Sequence, residues 1–347
     1  MTELFQERIR EAAARRMPLR LRGGGSKDFY GNVPRGEVLD TRGYAGIVSY
    51  DPTELVVTAR CGTSLLDLEK ILQEKNQFLP FDPPHFGPGA TFGGCIAAGL
   101  SGPRRAVAGA VRDFVLGTKL IDGRGRVLQF GGAVMKNVAG YDVSRLLAGS
   151  LGTLGLIAEA SLKVLPRPSS ERTLRLEAGE GEALATMNRW AGEPLPLSAS
   201  AWHEGRLFVR LSGAEPAVHA AAHRIGGEAG QASLWNELKE QAHPFFAGAE
   251  PLWRVSLPTA TAPLQLPGRQ LIEWGGALRW LKSDASAKAI REAATRAGGH
   301  ATLFRAADKS AGAFTPLDPV NARLHKALKA AFDPAGILNP GRLYADF

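Results

Sequence analysis

Three glycine-rich runs, in fixed order, constrain this chain more than any other feature. The first, Arg22-Gly23-Gly24-Gly25-Ser26, follows a short β-rich stretch at residues 19–22. Consecutive glycines permit positive-φ turns that point several N–H groups into one concavity, and without Cβ atoms the backbone can lie close to a diphosphate. Ser26 adds a hydroxyl donor; the bland alternative is a flexible surface turn. The second run contains Pro88, Gly89, Ala90, Thr91, Gly93 and Gly94, and continues in small residues through Ser101 and Gly102 to Arg104 and Arg105. Opening a helix at its positive end, it makes a wall for a flat ring or a phosphate, or else a surface for tight helix packing. The third, GSLGTLGLI at residues 149–157, is a glycine turn feeding a buried strand, with MKNVAGYD at residues 135–142 just before it. Each run alone is weak, but their order and spacing together are not.

Other common sites are missing from the sequence. It contains no GxGxxG or GxxxxGK[ST] phosphate loop, no GxSxG and no HExxH, which removes the usual anchors for P-loop, serine-hydrolase and zincin chemistry. Cys61 and Cys95 stand far apart with no CxxC, so this chain alone builds no disulfide framework, zinc ribbon or iron–sulfur site, and a reducing compartment fits best. The opening residues MTELFQERIREAAARR read as an amphipathic helix rather than a secretory signal. No apolar run approaches the ~20 residues of a membrane-spanning helix. The net charge of +8 is spread along the chain, its densest group being Arg15, Arg16, Arg20 and Arg22. Without a nucleic-acid motif, that charge suits an anionic ligand or an acidic partner subunit, not nucleic acid.

The pattern predicts an α+β chain. Strands are expected over residues 19–22, 37–40, 55–61, 114–122, 126–130 and 156–165, with a hairpin at Asp122-Gly123. Helices are expected over 64–75, with Ser64 as N-cap, and over 94–100. Pro166, Pro168 and two serines then punctuate the sequence, and a segment richer in Ala and Trp follows. It is expected to carry strands at 172–177, 206–211, 253–257 and 277–282 and helices at 181–190, 216–225 and 285–297. A last helix spans 319–332.

Taken together, RGGGS, PGATFGGCIAAGLSGPRR, the strand pair RDFVLGTKLIDGRGRVLQFGG, KNVAGYDVSRLLAGSLGTLGLIAEASLKVLP and the closing FDPAGILNPGRLY resemble the FAD-linked oxidases of the vanillyl-alcohol oxidase type. Within that superfamily, PFDPPHFGPGATFGG, SGPRRAVAGAVRDFVLG and HATLFRAADKSAGAFTP are similar to the FAD-binding subunits of bacterial glycolate oxidases. The resemblance implies a two-subdomain FAD-binding domain over residues 1–168, an inserted α+β cap over 169–314 and a C-terminal segment, 315–347, returning to the FAD domain. It implies that Arg22, Gly23, Gly24, Gly25 and Ser26 hold the FAD diphosphate. Pro88, Gly89, Ala90, Thr91, Gly93, Gly94, Ser101 and Gly102 would line the dinucleotide, Gly152, Thr153, Gly155 and Ile157 its far side, and Asn339 would return near the ring. Some relatives attach the flavin through a His in an RxGGH pattern; Ser26 stands there in this chain, so a dissociable FAD is expected.

The same resemblance implies a cytoplasmic complex, held through its partners at the inner-membrane face, that oxidises glycolate to glyoxylate. A related catalytic flavoprotein and an iron–sulfur subunit would accompany this chain. Departures from the pattern bear on its own role. Relatives acting on 2-hydroxy acids carry an HGDGNxH motif and a GEHG stretch, and this sequence has neither. His85, Arg104 and Arg105 are the remaining candidates for chemistry, and no metal site is expected, although His219 and His223 stand at i, i+4. Trp202, Trp253, Trp274 and Trp280 read as cap core. Three roles stay open: a relaying or supporting subunit, a self-sufficient 2-hydroxy acid dehydrogenase, and a scaffold with structural FAD.

Overall fold

A computed structural model describes residues 1–132 and 142–346; MKNVAGY at residues 135–141 lies outside the described residues. Among the described residues, three larger pieces of sheet and the short pair Gln77–Phe78 with Leu165–Pro166 organise the chain. The parallel pair Leu19–Arg22 and Glu37–Asp40 carries the first glycine run at its end, and Leu19 also bridges Leu338 in parallel. A five-stranded antiparallel sheet has the order Ile47–Asp51, Val56–Arg60, Leu156–Lys163, Val115–Ile121, Val127–Gly131. An eight-stranded antiparallel sheet is built wholly from strands between Ser170 and Arg305, with Glu228–Ala229 at one edge and His300–Arg305 at the other.

Local sequence explains most of these elements. The helix Leu65–Glu74 starts where the Ser64 hydroxyl accepts the Asp67 N–H at 3.3 Å, and Leu65, Leu68 and Leu72 form its buried stripe. At about 1.5–3 kcal/mol per fully buried leucine, that stripe pins the helix to the five-stranded sheet, against Val57, Phe92, Ile96 and Leu162. Asp122 ends Val115–Ile121 as expected: its fully buried carboxylate accepts the N–H groups of Arg124 and Arg126, both at 2.9 Å, and folds the hairpin. The N-terminal helix Thr2–Arg15 buries Phe5, Ile9 and Ala12.

Strands at Ile47–Asp51, Leu197–His203, Arg269–Glu273 and His300–Arg305, and a helix at Leu234–Glu240, were not expected from sequence. Ile47–Asp51 is an edge strand with no residue fully buried, and Leu197–His203 is LSASAWH, whose small side chains hide the alternation. The helix after the second run spans Phe92–Ala98, two residues earlier than predicted, because Thr91 caps it through the Gly94 N–H at 3.3 Å.

The eight-stranded sheet meets the loops of the N-terminal half through buried polar contacts. Arg104 binds both Asp82, at 3.4 Å, and Glu171; Arg210 reaches Asp82 at 3.0 Å, and Trp274 Nε1 donates to the Gly102 carbonyl at 3.0 Å. Among the described residues no helix is long and apolar enough to cross a membrane.

Candidate functional site: a cleft where the glycine runs meet

The three runs, distant in sequence, pack on one another. A Cβ on Gly24 would fall closer than 3.0 Å to the Gly89 carbonyl oxygen, and one on Gly23 would meet the Thr91 hydroxyl as closely, so the first run needs glycine to lie on the second. The third run joins the second through main-chain bonds, from Gly149 N–H to Ile96 O at 3.0 Å and from Leu151 N–H to Ala97 O at 2.8 Å.

Asn339 ties the first run to the third. Its Oδ1 accepts the Leu21 N–H at 2.7 Å, its Nδ2 donates to the Leu151 carbonyl at 2.6 Å, and its own N–H donates to Leu19 O at 2.8 Å. Behind it, buried Lys329 donates to Asp333 at 2.6 Å, Leu338 O at 2.7 Å and Thr153 O at 2.9 Å. The C-terminal helix Pro319–Phe332 thereby fixes the strand end and the third run together.

Between the runs lies an open cleft, lined in part by Arg22, Gly23, Gly24, Gly25, Ser26, Thr91, Gly94 and Asn339. A second hollow adjoins it and adds Gly93, Gly152, Gly155 and Ile157. Pro88, Gly89, Ala90, Ser101, Gly102 and Thr153 line neither. Pro88 and Gly89 are exposed, with Gly89 backing Gly24. The Ala90 carbonyl accepts the Leu65 N–H at 2.9 Å, and the Ser101 hydroxyl accepts the Val111 N–H at 3.1 Å. Gly102 receives Trp274, and Thr153 donates to the Ser150 carbonyl at 2.8 Å. These six hold the frame on which the lining residues sit.

Sequence reasoning missed the charge around the cleft. Arg20, Lys27 and Arg342 join Arg22 in its wall, and Asp28 is the one acidic side chain in the same lining. Asp28 pairs with Arg22 at 2.8 Å and with Arg20. Burial lowers the Lys27 ammonium from its ordinary range, and its Nζ donates to the His85 carbonyl at 3.2 Å. Burial likewise brings Arg342 down to about 10, where it donates to the Asp28 carbonyl at 2.9 Å. Lys27 was legible as the residue after Ser26; Arg342 reaches the cleft only because the chain end returns. Net positive charge over walls without Cβ atoms suits an anionic diphosphate whose two ends enter adjoining hollows.

The candidates for chemistry lie elsewhere. His85 lines neither hollow; its Nε2 stands 3.0 Å from Glu69 Oε2, and its N–H donates to Glu240. Arg104 is consumed by Asp82 and Glu171, whereas Arg105 stacks on Trp274 at 4.4 Å. His219 and His223 are both exposed on the helix Glu215–Ile225. Cys61 and Cys95 are buried free thiols, both pushed up to about 12 by burial, and are inert as nucleophiles at neutral pH.

Comparison with known proteins decides what this cleft belongs to. The chain is 50% identical over 345 residues to glycolate oxidase subunit GlcE of Escherichia coli (strain K12), covering 99% of this chain and 98% of that protein. The chain belongs to the GlcE family of FAD-linked oxidase subunits. The FAD binding domain family matches residues 2–131, and the C-terminal domain family of FAD linked oxidases matches residues 307–343, so the first two runs and the returning C-terminal segment carry the family's signature. Glycolate oxidase subunit GlcD of Bacillus subtilis (strain 168) is 35% identical over 161 residues, 46% of this chain and 34% of that protein. Alkyldihydroxyacetonephosphate synthase shares the fold, with a TM-score of 0.66 over 96% of this chain and 73% of that one at 16% identity. FAD is the cofactor of this FAD-linked oxidase family member, and the glycine-walled basic cleft fits it.

Proposed function

We propose that this chain is the FAD-holding subunit of a complex that oxidises glycolate to glyoxylate, acting beside a related catalytic flavoprotein. The observation that carries this reading is the end-to-end similarity to a glycolate oxidase subunit, together with a cleft built from all three glycine runs and Asn339. Bound FAD would supply two-electron chemistry with onward transfer of single electrons.

Arg22, Gly23, Gly24, Gly25 and Ser26 would hold the diphosphate, with Arg20, Lys27 and Arg342 balancing its charge. Thr91, Gly93 and Gly94 would form one wall, and Gly152, Gly155 and Ile157 the far end. Asn339 acts as a positioning residue, since it spends both side-chain atoms on main chain. Ser26 offers no ring nitrogen, so the flavin is held without a covalent bond. Residues 1–168 with 315–347 are read as the FAD domain, and 169–314 as an inserted cap.

The sequence lacks the paired-histidine motif expected of a self-sufficient 2-hydroxy acid dehydrogenase, and His85 is turned toward Glu69. Electron relay or support of the catalytic subunit is therefore the role assigned. With two cysteines of its own, the chain would borrow any iron–sulfur centre from a partner subunit, and its place at the cytoplasmic membrane face would come through partners too.

Anaerobic addition of glycolate, to the chain alone and to the assembled complex, tests this reading. Flavin in the isolated chain should stay oxidised and become reducible only in the complex. Bleaching in the isolated chain would overturn it in favour of a self-sufficient enzyme.

A further inference from the structure

Arg104 and Arg105 are adjacent in sequence and opposite in environment. Arg104 is held by two carboxylates, whereas the Arg105 guanidinium has no hydrogen bond or ion pair to any described residue and lies over the Trp274 ring at 4.4 Å. A second guanidinium meets the same indole. Arg254, from the strand Leu252–Ser256, stands 5.2 Å from the ring centroid, and its guanidinium likewise has no hydrogen bond or ion pair to a described residue. The two come from different parts of the fold: Arg105 from the short helix after the second glycine run, Arg254 from the eight-stranded sheet facing it.

Among the described residues no carboxylate stands within ion-pair distance of either guanidinium, and Asp113 reaches Arg105 only as a field that ranks behind burial and the neighbouring arginines. Arg254 feels the Tyr30 hydroxyl ahead of Glu273, and Glu273 Oε1 accepts the Trp280 Nε1–H at 2.7 Å while burial pushes its carboxyl up to about 7. Burial first, then the field of Arg254, lowers Arg105 from the ordinary guanidinium range. Two like charges held half-buried on one aromatic ring, with no carboxylate in ion-pair contact, are costly unless an anion joins them.

We propose that Arg105 and Arg254 form a binding site for a small carboxylate anion, seated beside Trp274 between the short helix Arg105–Ala108 and the eight-stranded sheet. Planar guanidinium forks match a carboxylate through paired N–H donors, and the indole supplies an apolar side for a short carbon chain. Neither arginine lines the glycine cleft, which has its own cations for a diphosphate. The site deepens the reading above and rests on it: a short hydroxy or oxo acid would reach this chain at the boundary between its two halves.

Isothermal titration of the FAD-loaded full-length chain with oxalate and with glycolate, against inorganic phosphate, tests the site. Saturable binding of both carboxylates, weakened about tenfold or more in Arg105→Ala and in Arg254→Lys, with FAD content and melting temperature retained, is the expected result. Arg105 is partly exposed on a short helix, so its variant remains informative even where the Arg254 variant misfolds. No carboxylate binding by the FAD-loaded chain, equal affinity in Arg105→Ala, or phosphate binding as tightly would overturn the site. A chain that purifies unable to hold FAD would instead overturn the proposed function, so the two failures are told apart by the flavin content of the same sample.

Discussion

Around the glycine cleft, backbone meets backbone: Gly24 lies on the Gly89 carbonyl with no room for a Cβ, and Asn339 closes the arrangement with three main-chain hydrogen bonds. Where the eight-stranded sheet faces those loops, side chain meets side chain, through Arg104 with Asp82 and Glu171, Arg210 with Asp82, and Trp274 under two guanidiniums. The first region leaves no room for an added atom where its runs cross, and its charges stand on a frame that main chain builds. The second is built from buried and half-buried charges, Arg104 and Arg210 paired with carboxylates and Arg105 and Arg254 set only on an indole. A cofactor cleft made of main chain is fixed in shape, whereas an interface of paired and unpaired arginines is fixed in charge, and the two should fail differently under substitution.

The largest effect is expected in the backbone region. Gly24→Val drives a branched side chain into the Gly89 carbonyl and should cost at least about 4 kcal/mol, with FAD lost on gel filtration; retained flavin absorbance would show that the runs do not form the cleft. Lys329→Met comes next. It leaves the buried Asp333 carboxylate without its cation, at a cost of about 3–5 kcal/mol by denaturant melting, and weakens FAD affinity by loosening Asn339.

In the charged region the expected signature is pH dependence. Burial holds the Glu273 carboxyl up at about 7, against an ordinary 4.5, so the folded chain keeps a proton that the unfolded chain releases. The resulting stabilisation is complete below the unfolded value and is lost as pH rises toward about 7. Glu273→Gln keeps an acceptor for Trp280 and should flatten this dependence, a difference on the order of 3 kcal/mol between acid and neutral pH. Parallel pH–stability curves for variant and parent would contradict the assignment. The smallest effect is Gly181→Ala: this glycine sits in the helix Glu180–Ala191 with nothing near its missing Cβ, so alanine should raise stability by about 0.5–1 kcal/mol.

What the sequence made legible follows the same division. Residues that must be glycine declare themselves, and the hairpin at Asp122-Gly123 and the Ser64 cap could be anticipated from short-range patterns, whereas the convergence of the three runs was implied by the family resemblance. Which glycines face the ligand could not: Gly89 and Gly102 have the same local signature as Gly94 but serve the frame, because only packing decides which side of a run is open. The charge of the cleft was harder still. Arg342 arrives from the far end of the chain, and the contrast between Arg104 and Arg105 depends on Glu171, Asp82 and Trp274, whose nearness is a product of the fold. The strand Leu197–His203 was hidden for a related reason, its burial being set by neighbouring strands rather than by its own small side chains.

The central claim is that the three glycine runs and the returning C-terminal segment hold FAD without a covalent bond. Acid precipitation of the purified chain, followed by flavin measurement in supernatant and pellet, tests it most directly. Stoichiometric FAD in the supernatant, absent from the Gly24→Val chain, is the predicted result; flavin retained in the protein pellet, or a folded chain that carries none, would contradict it.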